Sequence, residues 1–457
     1  MLGMIKSNQP TSSGQAALLA IGDVHLGTRC SGLPEELSGW GIEPEQLTPA
    51  AALDAAVDLA IQMRVDAVLF AGDVVESTNA RFEAIVPLEK NIRRLLDHHI
   101  QVIAVAGNHD VEALPRLTQL IDGFKLLGAG GQWESYIIER DGHDLAEIVG
   151  WSFGERVVRQ SPVAQLLAET RDLASSSLPR IGLLHADLDA SGGVYAPIKQ
   201  TELAQTGFDA WLLGHIHKPS HSNLSNSSSH FPYGYLGSLV GLDPTETGPH
   251  GPWLITVDGP GHVSAEQKPI APLRWENLTV NIGDTDDVED VADKILGGVE
   301  AKARELAELG YVPRALGVRV RVEGASRHYD PIRKTIANGD WTALNRVYGE
   351  TSVFINKVTD GLSSLLDLTE IATGDDPPAL LAQRILSLQR NDQNAIALLL
   401  QARSEFADFV ADNQWLPLLG RRDHGNPLSD ESLRDLMLRA GTSAIHAMLE
   451  QQAGSEE

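Results

Sequence analysis

Five short stretches of this 457-residue chain end an apolar run on residues that bind metals, protons or phosphate: "GDVH" (22–25), "GD" (72–73), "GNHD" (107–110), "LHAD" (184–187) and "GHIH" (214–217). Each contributes Asp, Asn or His, and none contributes a thiolate. Imidazole with carboxylate suits divalent cations such as manganese or iron better than it suits structural zinc. An Asp with a His two residues on, and two His at i and i+2, supply two cations together when one carboxylate bridges them. Asp73, alone at its strand end, fits the bridge. The glycines let the backbone turn sharply and approach the site. One fragment by itself is ordinary turn chemistry; five in this order, each behind a buried strand, point to one metal site.

The elements that must position these residues are short and apolar. "QAALLAIGD" (15–23), "VDAVLFAGD" (65–73), "IQVIAVAGN" (100–108), "IGLLHAD" (181–187) and "FDAWLLGH" (208–215) read as buried strands. Residues 48–64 and 81–97 read as helices, the first with Thr48 as its N-cap. "WESYIIER" (133–140) and "HDLAEIVGW" (143–151), joined by "DG", read as a β-hairpin. This is an α/β pattern, and in open α/β sheets ligands bind at the carboxyl ends of strands. "SNLSNSSSH" (222–230) reads as an exposed loop.

The pattern changes after residue 271. A strand (273–282), an Asp-rich helix (284–309), a second strand (314–323) and a second helix (327–338) make a small α+β domain. From about residue 360 only helical stripes follow. The expected organisation is a frayed 1–14, an α/β domain over 15–271, an α+β capping domain over 272–359 and a helical region over 360–457.

With 42% hydrophobic and 21% charged residues the chain has the composition of a globular protein. No apolar run approaches the ~18 residues of a membrane span, and the opening "MLGMIKSNQPTSSGQ" has no apolar core of a secretory signal. Cys30 is the only cysteine, so no intrachain disulfide forms, which fits a cytoplasmic setting. A net charge of −26 argues against a chain-wide grip on nucleic acid; any such contact needs a local patch, bound cations or a partner.

The series D-x-H, G-D, G-N-H-[DE], H, G-H-x-H resembles that of the calcineurin-like metallophosphoesterases. Longer text, "DVHLG" (23–27), "VYAPIKQTELAQTGFDAWLLGHIHKP" (194–219) and "YLGSLVGLDPTETGPHGPWLITVD" (235–258), is similar to the SbcD-type DNA repair exonuclease subunits, in particular the YhaO-like branch. The resemblance implies a four-layer α/β/β/α sandwich followed by a small cap and a helical tail. It implies one metal held by Asp23, His25, Asp73 and His217, and a second held by Asp73, Asn108, His185 and His215. The two divalent ions would most readily be Mn2+, with Fe2+ or Mg2+ as alternatives. The implied activity is a metal-dependent DNA exonuclease, in which two cations ~3.5–4 Å apart activate a water for in-line attack on phosphorus. The implied partners are DNA, an SMC-like coiled-coil ATPase docked on the helical tail, and a second copy of the chain, with no membrane.

With Asn108 given to a metal, His109 is left to face substrate, where it would contact the scissile phosphate or protonate the leaving oxygen. Glu76, three residues after Asp73 in "GDVVE", would orient it. Related phosphoesterases often carry Asp there and some nucleases His, so Glu is a departure. Asp110, Tyr195, Lys199, Lys218 and Arg29 are candidates to support the ligands or touch phosphate, and Asp187 and Asp189 to support them or shape a turn. His98, His99, His221 and His230 read as surface residues, and His143 and His250 show no partner in the sequence. Two other functions compete: a phosphatase or phosphodiesterase for a small molecule or phosphoprotein, and a non-catalytic scaffold. A scaffold should have lost ligands, whereas all seven positions are filled here.

Overall fold

The computed structural model describes residues 15–453 apart from 36, 38–40, 77–81, 170–176, 191, 226–230, 340, 342–344 and 411–428. The expected frayed segment 1–14, the first residue of the helix over 81–97, most of the Ser/Asn-rich loop and part of the final helical stripes fall outside the described residues. The first three residues of that loop, 222–224, belong to a short helix, His221–Leu224.

Runs of small and β-branched residues build two sheets. One has the order β11-β10-β1-β2-β3-β4, with β1 (Ala16–Ile21), β2 (Ala67–Ala71), β3 (Gln101–Val105), β4 (Phe124–Leu126), β10 (Trp253–Val257) and β11 (Val263–Gln267). The other has the order β5-β6-β7-β8-β9, with β5 (Trp133–Arg140), β6 (His143–Trp151), β7 (Arg180–His185), β8 (Ala210–Gly214) and β9 (Tyr233–Tyr235). β1 to β4 run parallel, as do β6 to β9. Strands buried on both faces need apolar residues at every position, which is why these segments lack the alternation of half-exposed strands. The β5–β6 hairpin turns at Asp141 and Gly142, both with positive φ (52° and 77°), as a two-residue turn requires.

Leu18, Ala20, Leu69, Ala71, Ile103 and Val105 of the first sheet pack against Ile148, Ile181, Leu183 and Leu212 of the second. On the outer face of the first sheet, Leu19, Ile21, Val68 and Phe70 meet α1 (Pro49–Met63) and α2 (Phe82–Asp97) through Leu53, Ala56, Leu88 and Ile92. On the outer face of the second, Leu184, Trp211 and Leu213 meet α4 (Pro162–Glu169) and α5 (Gln200–Gln205) through Val163, Leu166 and Leu203. The result is the expected four-layer α/β/β/α sandwich. Thr48 caps α1 by accepting the Ala51 N–H at 3.3 Å, with Pro49 at the first helical position.

Beyond the sandwich, β12 (Leu273–Ile282), β13 (Ala315–Ser326), β14 (Asn345–Tyr348) and β15 (Thr351–Ser364) form a sheet in the order β12-β13-β15-β14, with α7 (Val288–Glu308) and α8 (Tyr329–Asn338) between strands. β15 runs past residue 360, where the sequence turns helical in expectation. "VFI" (353–355) is buried at every position, so no period-2 signal announces the strand. The chain divides into two compact units. One holds residues up to Leu278 with Gly297–Val320 and Asp340–Lys357; the other holds Thr279–Leu296, Arg321–Gly339 and the chain from Val358. In the second unit α10 (Pro377–Arg390), α11 (Gln393–Val410) and α12 (Asp430–Ala453) pack on one another through Ile385, Leu388, Leu399, Leu433 and Ile445.

Candidate metal centre

The residues that open the site all lie in the first unit, at the carboxyl ends of β1, β2, β3, β7 and β8. The loops after β1 and β2 run side by side. The Val24 and His25 N–H groups donate to the Asp73 carbonyl at 3.1 and 2.9 Å, and the Glu76 N–H donates to the Leu26 carbonyl at 3.0 Å. Asp110 ties in the loop after β3: fully buried, it accepts the Val74 and Gly107 N–H groups, both at 2.7 Å. The His215 N–H donates to Asp23 Oδ1 at 2.9 Å and brings in the loop after β8. Close approach makes glycine obligatory at several points, Gly107 and Gly214 among them. A Cβ on Gly107 would stand 2.2 Å from Asp73 Oδ1, and one on Gly214 would stand 2.1 Å from the Ala71 carbonyl oxygen. Three non-glycine residues of the site, His25, Asp73 and His215, hold φ of 52°, 50° and 108°. Such backbone costs about 1–3 kcal/mol per residue and persists where the surrounding structure enforces it.

These loops gather most of the expected ligands. Asp23, His25 and His217 offer donor atoms within 4.8 Å of one another, and so do Asp23, Asp73 and His185. His25 Nε2 lies 3.1 Å from His217 Nε2 and 3.8 Å from Asp73 Oδ2. His185 Nε2 lies 3.3 Å from Asp73 Oδ2 and 3.0 Å from Asn108 Oδ1. Asp73 therefore stands between the two groups. His215 is in neither group. Its Nε2 is 2.9 Å from Asp187 Oδ1, while its ring packs edge-on to His185 with centroids 5.1 Å apart.

The electrostatics of this cleft call for positive charge. Asp23, Asp73 and Asp110 are buried together. Burial would lower the His185 imidazole, but Asp73, Asp23 and Asp110 overcome it and hold the ring protonated up to about 9. Burial likewise opposes ionisation of Asp73, and His185 and His25 outweigh it, leaving the carboxyl well below the usual carboxylate range. Burial, then the charge of Asp73, pushes Asp110 up to about 7. Asp23 Oδ2 is buried with no hydrogen-bond partner. An orphaned carboxylate oxygen, two imidazole nitrogens facing each other and a proton held on His185 by carboxylates all fit a site built for divalent cations.

His109 and Glu76 meet as the sequence suggests. His109 Nδ1 is 2.8 Å from Glu76 Oε2, and the His109 side chain is 45% exposed. The same Oε2 lies 3.5 Å from His25 Nδ1, a second contact that spacing did not foretell. His25, with His109, holds the Glu76 carboxyl down at about 2 against its partial burial. The other candidates are more scattered. Asp110 braces the loops and is closed to substrate. Tyr195 packs beside His215 with ring centroids 5.1 Å apart. Lys218 and Lys199 are exposed, the latter capping α5. Arg29, also exposed, lines a cavity of about 520 Å³ with Thr28, Leu33, Pro49 and Glu83.

Sequence reasoning missed Glu246, whose Oε1 lies 2.7 Å from His217 Nδ1. It left His250 without a partner, yet that ring is buried, 2.9 Å from the Ser238 carbonyl and 3.1 Å from the Glu246 carbonyl. Both sit in an irregular loop some thirty residues beyond the last strand-end motif. The one available signal was an acid and a His in the "ETGPHG" stretch.

The calcineurin-like phosphoesterase family model matches residues 16–219. The chain is 28% identical over 246 residues to the uncharacterized metallophosphoesterase YhaO of Bacillus subtilis, a match over 50% of this chain and 53% of YhaO, about half the length of that relative. It is 27% identical over 301 residues to the DNA double-strand break repair protein Mre11 of Aeropyrum pernix, covering 64% of this chain and 70% of that one. It is 24% identical over 383 residues to the Mre11 of Sulfolobus acidocaldarius, covering 78% and 88%. The matched segment contains all five strand ends, and over residues 16–219 this chain is similar to the calcineurin-like phosphoesterases.

Proposed function

We propose that this protein is a divalent-metal-dependent DNA exonuclease with two metal ions, most readily Mn2+, per subunit. The observation that carries the reading is the pair of donor groups that share Asp23, with Asp73 of one lying 3.8 Å from His25 of the other. Asp23, His25, Asp73 and His217 would hold one ion; Asp73, Asn108, His185 and His215 would hold the other. The relatives named as double-strand break repair proteins favour DNA over a small phosphate ester. When bound, the ions supply Lewis-acid charge and a nucleophile at neutral pH. The chain's own residues do the rest. His109, exposed at the cleft, donates a proton to the leaving 3′ oxygen. Glu76 accepts the Nδ1–H and so keeps the ring in one orientation.

The test offers the metal-stripped protein, with Mn2+ restored, linear duplex DNA beside p-nitrophenyl phosphate. Mn2+-dependent shortening of the DNA, abolished by EDTA and outpacing monoester hydrolysis, is the expected result. Rapid hydrolysis of the monoester alone would replace the nuclease with a phosphatase.

The partner proposed for the helical tail is an SMC-like coiled-coil ATPase, with a homodimer of this chain and a cytoplasmic setting. Ile396 and Leu400 on α11 are 55% and 60% exposed, one helical turn apart. Ile396→Asp with Leu400→Asp is expected to leave Mn2+-dependent cleavage intact and to abolish co-purification with such an ATPase. Retained association with both substitutions would remove α11 from the interface. No helix among the described residues is long and apolar enough to cross a membrane.

A further inference from the structure

His215 and His217 are two residues apart, yet carboxylates engage opposite ring nitrogens. Asp187 faces Nε2 of His215 at 2.9 Å, and Glu246 faces Nδ1 of His217 at 2.7 Å. The Glu246 side chain is itself fixed. Its Oε2 accepts the Ser238 hydroxyl at 3.1 Å and the Leu242 N–H at 2.9 Å. Its loop is anchored to the metal centre from both sides. The Ser238 N–H donates to the His217 carbonyl, and the Leu239 N–H to the Asp23 carbonyl, both at 2.9 Å. The buried His250 ring spans the two ends of the loop, between the Ser238 and Glu246 carbonyls.

A carboxylate only accepts hydrogen bonds, so Glu246 requires the proton of a neutral His217 to sit on Nδ1. The lone pair is then left on Nε2, the atom that lies 3.1 Å from His25 Nε2. We propose that Glu246 is a positioning residue that fixes the tautomer and orientation of His217 so that its Nε2 lone pair is presented to the metal beside His25. This rests on the metal-centre reading above and extends it to a residue outside the strand-end motifs.

Glu246→Gln tests this because it keeps shape and reverses one hydrogen bond. The glutamine oxygen still accepts from Leu242 and Ser238, which turns the amide NH2 toward His217 Nδ1. That nitrogen must then accept, and the proton moves to Nε2, where it blocks coordination. In metal-free protein, 15N NMR should show His217 with Nδ1 protonated in the wild type and Nε2 protonated in Glu246→Gln. Calorimetric titration with Mn2+ should show one of two sites weakened roughly 10–100-fold, the usual cost of losing such a support. The thermal midpoint should be unchanged. Glu246→Asp keeps the acceptor on a shorter stem and should fall between. His217→Ala serves as the reference and should lose one site outright. Two tight Mn2+ sites in Glu246→Gln, with one lost in His217→Ala, would overturn the proposal. So would weakened binding that comes with a lowered midpoint and the wild-type tautomer. Two unweakened sites in His217→Ala would instead sink the metal assignment, and this proposal with it.

Discussion

Asp73→Asn is expected to leave a folded protein that holds fewer than two divalent ions and has lost more than roughly 10³-fold of its hydrolytic rate. A single preorganised electrostatic group is commonly worth about 10²–10³, and this carboxylate faces donors of both groups. Its Oδ2 lies 3.3 Å from His185 Nε2 and 3.8 Å from His25 Nε2. The fold should survive because the structural duty of the side chain falls on Oδ1, which accepts the His109 N–H at 2.9 Å. An asparagine oxygen keeps that bond. In the metal-free protein, breaking a buried ion pair commonly costs about 3–5 kcal/mol. The loss here should be smaller, because removing this charge also relieves Asp110, which Asp73 helps keep protonated. Metal content by mass spectrometry and thermal unfolding with and without Mn2+ check both halves. Two bound ions with wild-type turnover would take Asp73 out of the bridging role.

The strand ends were legible because two independent signals coincide there. An apolar run says that a segment is buried, and a polar residue that follows glycine at its end has no packing reason to be there. Asp23, Asp73, Asn108 and His215 announce themselves in this way. Asp110 was legible as an acid but not as a brace. Only the fold shows that its two oxygens receive N–H groups from two different loops. The left-handed backbone at His25, Asp73 and His215 was equally silent, since glycine is the residue that normally marks such positions. Glu246 and His250 were missed for a third reason. They come from an irregular loop with no period, and their roles exist only once Ser238 and Leu239 have bonded to the His217 and Asp23 backbones. The β14–β15 hairpin escaped through its tightly buried "VFI", which suits a strand and a buried helix equally.

His109→Ala is expected to keep both metal ions and to lose on the order of 10²–10⁴-fold in DNA cleavage, the usual worth of a positioned acid. The substitution is clean. The His109 N–H that serves Asp73 is backbone and survives, and the half-exposed side chain fills no core. With Nδ1 given to Glu76 at 2.8 Å, Nε2 is the atom free to carry a proton to substrate. Such a proton matters only for a poor leaving group. A sugar 3′ oxygen needs it, whereas a nitrophenolate leaves without help. Bis-p-nitrophenyl phosphate should therefore lose less than about tenfold, and that gap between substrates separates proton donation from mere disturbance of the site. Glu76→Gln carries a mixed signature, because its carboxylate faces His25 Nδ1 at 3.5 Å as well as His109. It should weaken metal binding and depress both substrates. The double substitution should cost less than the product of the two single losses, since the part of the Glu76 loss that runs through His109 is already gone in His109→Ala. Equal losses on DNA and on the nitrophenyl diester in His109→Ala would assign the imidazole to phosphate binding and leave the leaving-group proton to another donor.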